Sequence, residues 1–286
     1  MISRPAALHH VNADLHCHSR VSDGTLEPGD VARRAHAHGV SLWSLTDHDE
    51  VAGQAEAAAT AHELGMDYVG GVEISVTWAQ ETVHIVGLGI DYRDRALGDG
   101  LLRTRSSRDR RARAIGDELA KLGIGGCYEG ALALAGNPDM ISRTHFGRYL
   151  ITQGVCADVQ EVFSHYLVAG KPGYVPMSWA TLADALEWIS NAGGIAVVAH
   201  PGRYRFTPLQ RDEFFAEFIE RGGRAVEIVS GSHTVDDYRF YADVARRHGL
   251  LGSRGSDFHA PGEGNAEFGS LPPLPDSVVP VWRDLI

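Results

Sequence analysis

Short apolar runs alternate with stretches of helical spacing along most of the 286 residues, and acids or histidines stand where the apolar runs stop. Alternation of this kind restricts the chain to a sheet with crossover helices, either open or closed into a barrel. The spacing predicts a helix over 27–38, closed by Gly39, and then a strand over 40–46 that stops at Asp47-His48-Asp49. An alanine-rich helix over 51–64 follows, then strands over 66–74 and 82–90 carrying Glu73 and His84. At about residue 92 the rhythm breaks. Residues 93–178 read as helices and loops, with an arginine-rich helix over 101–122, a second opening after Ser142 and a third over 157–168. Alternation resumes with helix 182–192, strand 195–199 ending at His200, helix 212–221, strand 225–230, helix 236–248 and strand 250–252. The expected organisation is an α/β body made of 11–92 and 179–286, with an all-helical insertion at 93–178. Residues 272–280 read as an extended tail.

The first strand ends in Asp14-Leu15-His16-Cys17-His18, so both imidazoles leave one face of an extended chain and Cys17 leaves the other. Neutral imidazole is a ligand for several divalent ions. Later strand ends add Asp23 in the following loop, then His48, Glu73, His84, His200, Asp257 and His259. In a parallel barrel all strands point one way, and these groups would meet at one rim. Six imidazoles and three carboxylates exceed what one structural zinc needs and would suit two or three ions sharing a carboxylate.

Composition excludes several classes. No apolar run approaches the ~20 residues of a membrane-spanning helix, and 1–11 has no signal-peptide pattern. Three scattered cysteines, Cys17, Cys127 and Cys156, point to reduced thiols in a cytoplasmic setting. A net charge of −11 opposes broad nucleic-acid binding. Yet Arg103, Arg105, Arg108, Arg110, Arg111 and Arg113 face a single acid, Asp109, within one short segment. That pattern suits a local anion site.

His16-Cys17-His18, Ser22-Asp23-Gly24, Thr46-Asp47-His48-Asp49, Gly71-Val72-Glu73, His200-Pro201 and Ser256-Asp257-Phe258-His259 together resemble the metal motifs of the PHP (polymerase and histidinol phosphatase) family. They span residues 14–259. The segment Ile141-Ser142-Arg143-Thr144-His145-Phe146, with Lys171 and Tyr174, resembles the branch of nucleoside 3′,5′-bisphosphate phosphatases, some of which also trim the 5′ ends of short RNA. The resemblance implies a distorted (β/α)7 barrel and up to three ions, often manganese. It places His16, His18 and Asp257 with Glu73 around a first ion, and Asp23, His48 and His259 around a second. Glu73 would be shared with His84 and His200 around a third. Mixed nitrogen and oxygen donors admit Mn, Fe, Zn or Co.

The implied activity is hydrolysis of the 3′-phosphate by a metal-activated hydroxide, with Glu73 bridging and His259 or Asp257 assisting the leaving alcohol. A substrate with two phosphates needs a second anion pocket. Arginine binds phosphate in bidentate fashion, so Arg103, Arg108, Arg111, Arg143, Arg148 and Arg203 are candidates, with Lys171. His145 would touch substrate or orient Arg143. His9, His10, His36, His38, His62, His165 and His248 read as surface or packing residues, and His233 as a contact near the site. Histidinol phosphate, with one phosphate and a cation, matches the arginine segment poorly. An amidohydrolase would leave Asp23, His48 and His259 unexplained, and a non-catalytic RNA-binding module would be expected to lack ligands.

Overall fold

A computed structural model describes residues 10–264 and 266–286, so the readings of His9 and of the N-terminal segment lie outside the described residues. Strands β1 (Ala13–Asp14), β2 (Leu42–Trp43) and β3 (Asp67–Tyr68) form a small parallel sheet in that order. Strands β4 (Gly71–Trp78), β5 (Glu81–Leu88), β6 (Ile195–Val198), β7 (Ala225–Ser230) and β8 (Leu251–Gly255) form a second, mixed sheet in sequence order. Single bridges link the segments after β2 and β1 to the two edges of the large sheet, His48 with Glu73 on β4 and Cys17 with Phe258 just past β8. The mixed α/β class holds. The expected distorted (β/α)7 barrel is not borne out: the described residues carry eight strands in two sheets, with no closed sheet.

The departure has a local cause. β4 and β5 are joined by Ala79-Gln80 alone, and a two-residue link can only make an antiparallel hairpin. β5 also pairs antiparallel with β6, so the strands do not all point one way. The predicted strand 66–74 is likewise two strands, β3 and β4, in different sheets.

Helices α1 (Pro28–Ala37) and α2 (Gln54–Glu63) pack on the small sheet, burying Val31, Ala32, Ala35, Ala57 and Ala61 against Trp43 and Leu45. Between β5 and β6 lie α3 (Arg95–Arg105), α4 (Arg108–Lys121), α5 (Cys127–Leu134), α6 (Arg143–Thr152) and α7 (Val159–Val162), which runs on as a π turn over Phe163–Leu167. The single helix predicted over 101–122 is two helices, broken at Ser106-Ser107, residues that compete for backbone hydrogen bonds. Ile115, Leu119, Phe146, Leu150 and Leu167 form a core of their own in this block. Helices α8 (Leu182–Asn191), α9 (Pro208–Glu220) and α10 (Val235–His248) cover the large sheet, and α8 sets Leu182, Ala185, Leu186 and Ile189 on one face against it.

Candidate metal centre

His16 and His18 extend beyond β1, fully buried, while Cys17 turns to the opposite side and receives the indole N–H of Trp43. Backbone bonds from Asp257 N to His16 O (2.8 Å) and from His18 N to Phe258 O (2.8 Å) clamp this segment to the stretch after β8. Glu73 lies on β4, and on its hairpin partner β5 His84 stands opposite Ser75, so Glu73 and His84 share one face. His48 arrives from the end of β2 and His200 from the end of β6.

All nine predicted groups converge. His18, Asp23, His48 and His259 each offer a ligand atom within 4.8 Å of the others, and so do His16, His18 and Asp257. Glu73 is common to two more sets, one with His16 and His200 and one with His48 and His84. Its Oε1 lies 2.9 Å from His84 Nδ1 and 3.1 Å from His200 Nε2, and its Oε2 lies 2.9 Å from His48 Nδ1. The His18 ring lies against those of His48 (4.5 Å) and His259 (4.2 Å).

Where burial opposes charge in this cluster, neighbours decide the outcome. Against burial, Glu73 is held well below the carboxylate range by His48 and His16, Asp23 by His259 and His48, and Asp257 by Arg203 and His16. Against burial, Glu227 and Glu73 raise His16 well above its ordinary value, and Asp23 carries His259 to about 9. Burial, reinforced by His259, drives His18 down to about 3, and burial with Arg203 does the same to His200. Among the described residues, the buried His18 Nδ1 and Asp23 Oδ1, members of one donor set, make no hydrogen bond. Buried polar atoms are ordinarily paired, so orphaned nitrogen and carboxylate donors aimed into one cluster fit divalent cations.

The basic residues divide by position. Arg108, Arg111 and Arg143 line one cleft with Ile141, Ser142 and Phe146. Arg108 is buried on Asp49, and its guanidinium lies 4.6 Å above the Trp179 ring. Arg111 donates to Val175 O (2.9 Å), and Arg143 to Leu167 O (3.1 Å). Arg148 donates to Asp23 O (2.7 Å) and pairs with Glu263. Arg203, its side chain 46% exposed, reaches Asp257 Oδ2 at 2.5 Å. Arg103 instead packs over Trp188, and Lys171 is exposed on a turn. His145 is buried and accepts from Ser142 N (3.0 Å), closing the capping box of α6, while the Ser142 and Thr144 hydroxyls donate to Asp23 (3.1 and 3.0 Å). Of the other histidines, His233 is buried beside the His200 loop, accepting from Gly202 N at 3.0 Å.

Sequence reasoning missed Glu227, which is buried on β7 and meets His16 Nδ1 at 2.6 Å. It also missed Asp49 as the partner of Arg108. Nothing in Ala225-Val226-Glu227-Ile228-Val229 marks an acid that faces inward.

A family model described as PHP domain matches residues 14–167. The chain is 50% identical to a 3′,5′-nucleoside bisphosphate phosphatase of Chromobacterium violaceum over 96% of both chains. It is 41% identical to a 5′-3′ exoribonuclease of Haemophilus influenzae, over 94% of this chain and 97% of the relative. A solved structure, an amidohydrolase from Chromobacterium violaceum with bound sulfate and no metal, superposes with a TM-score of 0.93 at 50% identity, covering 96% of this chain and 95% of that one. A metal-dependent phosphoesterase assignment accompanies a second structure, from Bifidobacterium adolescentis, at TM-score 0.80 and 27% identity over 93% of each chain. With its nine clustered donors, its family match and relatives that align from end to end, this chain belongs to the PHP family.

Proposed function

We propose that the protein is a metal-dependent phosphoesterase that removes the 3′-phosphate of nucleoside 3′,5′-bisphosphates such as adenosine 3′,5′-bisphosphate, leaving the 5′-monophosphate. The same hydrolytic chemistry extends to trimming the 5′ ends of short RNA. One observation carries this reading: Ser142 lines the arginine cleft and also donates to Asp23 of the nine-residue cluster. A place for two or three divalent ions and a place for a second anion therefore share a wall.

His16, His18, Asp23, His48, Glu73, His84, His200, Asp257 and His259 would hold the ions, with Glu73 shared and manganese the leading candidate. Bound there, divalent ions supply an activated water and neutralise charge on the phosphoryl oxygens. Arg203, beside Asp257, adds a cation at the reacting phosphate. Against burial, Arg203 holds Asp257 ionised, so it is not the acid; His259, raised against burial to about 9 by Asp23, carries a proton for the leaving 3′-oxygen where no ion occupies its ring nitrogen. Burial, then the like charges of Arg143 and Arg108, hold Arg111 down to about 9. A guanidinium keeps its proton in proteins, so the cleft carries a standing demand for an anion, which the 5′-phosphate meets.

The test is phosphate release from adenosine 3′,5′-bisphosphate, AMP and histidinol phosphate, each with and without Mn2+. The bisphosphate should be preferred and the reaction should need metal. Equal rates on AMP would remove the second anion pocket from the account.

A further inference from the structure

β7 is irregular where it passes the cluster. Glu227 is in register with Ser253 and Val229 with Arg254, so Ile228 is an extra residue in the strand. Bulges re-aim side chains beside functional sites, and here the re-aimed side chain is Glu227. Its Oε1 lies 2.6 Å from His16 Nδ1, and its Oε2 accepts the backbone N–H of His200 at 2.6 Å. His200 itself has φ +26, a conformation that side-chain-bearing residues rarely adopt and that surrounding structure must hold. The extra residue contributes as well. Ile228 O receives the Nδ1–H of His233, which leaves His233 Nε2 to accept from Gly202 N at 3.0 Å.

We infer that Glu227 is a positioning residue that prepares His16 and His200 together as metal ligands, resting on the metal-centre reading above. Bonding at Nδ1 leaves the outward Nε2 of His16 as its ligand atom, the arrangement common in metal-bound histidine. Both partners of Glu227 are then donors, the ring N–H of His16 and the backbone N–H of His200. Only a carboxylate offers two acceptor oxygens in that place. Glutamine has the same shape but must turn its NH2 against one of the two donors.

The metal-free protein and its Glu227→Gln and Glu227→Asp variants are titrated with Mn2+ and with Zn2+ by calorimetry, with circular dichroism as the check on folding. Loss of a partner of this kind costs 10–100-fold in metal affinity. The expected order is wild type, then Asp, then Gln, with Gln at least 10-fold below wild type while folded. A packing role predicts the reverse order, because Gln preserves shape and Asp does not. Wild-type affinity in Glu227→Gln overturns the inference. Should Glu227→Gln fail to fold, Glu227→Asp is compared with Glu227→Ala, and equal affinities overturn it. Failure of the wild type to bind either ion would instead overturn the metal-centre reading.

Discussion

His145 shows how one side chain can hold a site through a helix cap. It caps α6 by accepting from Ser142 N, and Ser142 in turn donates to Asp23. Burial lowers its pKa to about 4, so the native protein keeps it neutral while an unfolded chain protonates it near 6.5. Between those values the unfolded state binds more protons, so this residue's contribution is complete above pH ~6.5 and declines as pH falls toward 4. Glutamine at the third helical position also closes a capping box and does not titrate. Denaturant midpoints of the metal-free wild type and His145→Gln, measured at pH 4.5 and pH 7, should show a smaller pH difference in the variant. Equal differences would sink the assignment. The motif around Ser142 was visible in the sequence, but the histidine's use as a cap was not, because its partner is a backbone N–H.

Elements were legible where hydrophobic period and stop signals agreed. The strand over 225–230 and the helices α8 and α10 appear within about a residue of their expected bounds. The β4–β5 hairpin was not legible, because its link lacks the Asn-Gly or Asp-Gly pair that marks such turns. Ala79 and Gln80 nonetheless take φ +46 and +67, the geometry of a type I′ turn. Left-handed backbone costs an ordinary residue roughly 1–2 kcal/mol, and Asn-Gly relieves most of it. The double substitution Ala79→Asn, Gln80→Gly should therefore stabilise the protein by about 1–2 kcal/mol, read as a higher urea midpoint at unchanged m-value. A lower midpoint would contradict the turn assignment. The same hairpin explains why the site survives a wrong expectation about strand direction. His84 is delivered from β5 running antiparallel to β4, yet pleat and register still set it on the same face as Glu73.

Across the whole molecule, the cluster is the place where distant segments are tied together. Its nine groups lie between residues 16 and 259, with His16, His18, Asp23, Glu73 and His200 buried and the other four half-buried beside them. Their convergence was legible where a histidine or acid stood just past a strand, as His16, His18, His48, His200, Asp257 and His259 do, whereas Glu73 and His84 lie within the β4–β5 hairpin and meet by its pleat. The supporting carboxylates Glu227 and Asp49 were not legible, since their roles depend on a bulge and on a helix break. Asp49 lies at the sheet edge and Arg108 at the start of α4, so their buried pair fastens the helical block to the sheets beside the same cluster. Divalent ions that bind only the folded state should then stabilise the entire chain. One ion at 100 times its dissociation constant adds about 2.7 kcal/mol, which for a chain of 286 residues corresponds to a melting shift of roughly 4–5 °C. Mn2+ added to metal-free protein should produce at least that shift, EDTA should reverse it, and Glu73→Gln should lose the larger part of it because Glu73 serves more than one group of donors. No shift with Mn2+, Fe2+, Zn2+ or Co2+ would mean that the clustered donors are satisfied by one another, and the phosphoesterase reading would lose its foundation.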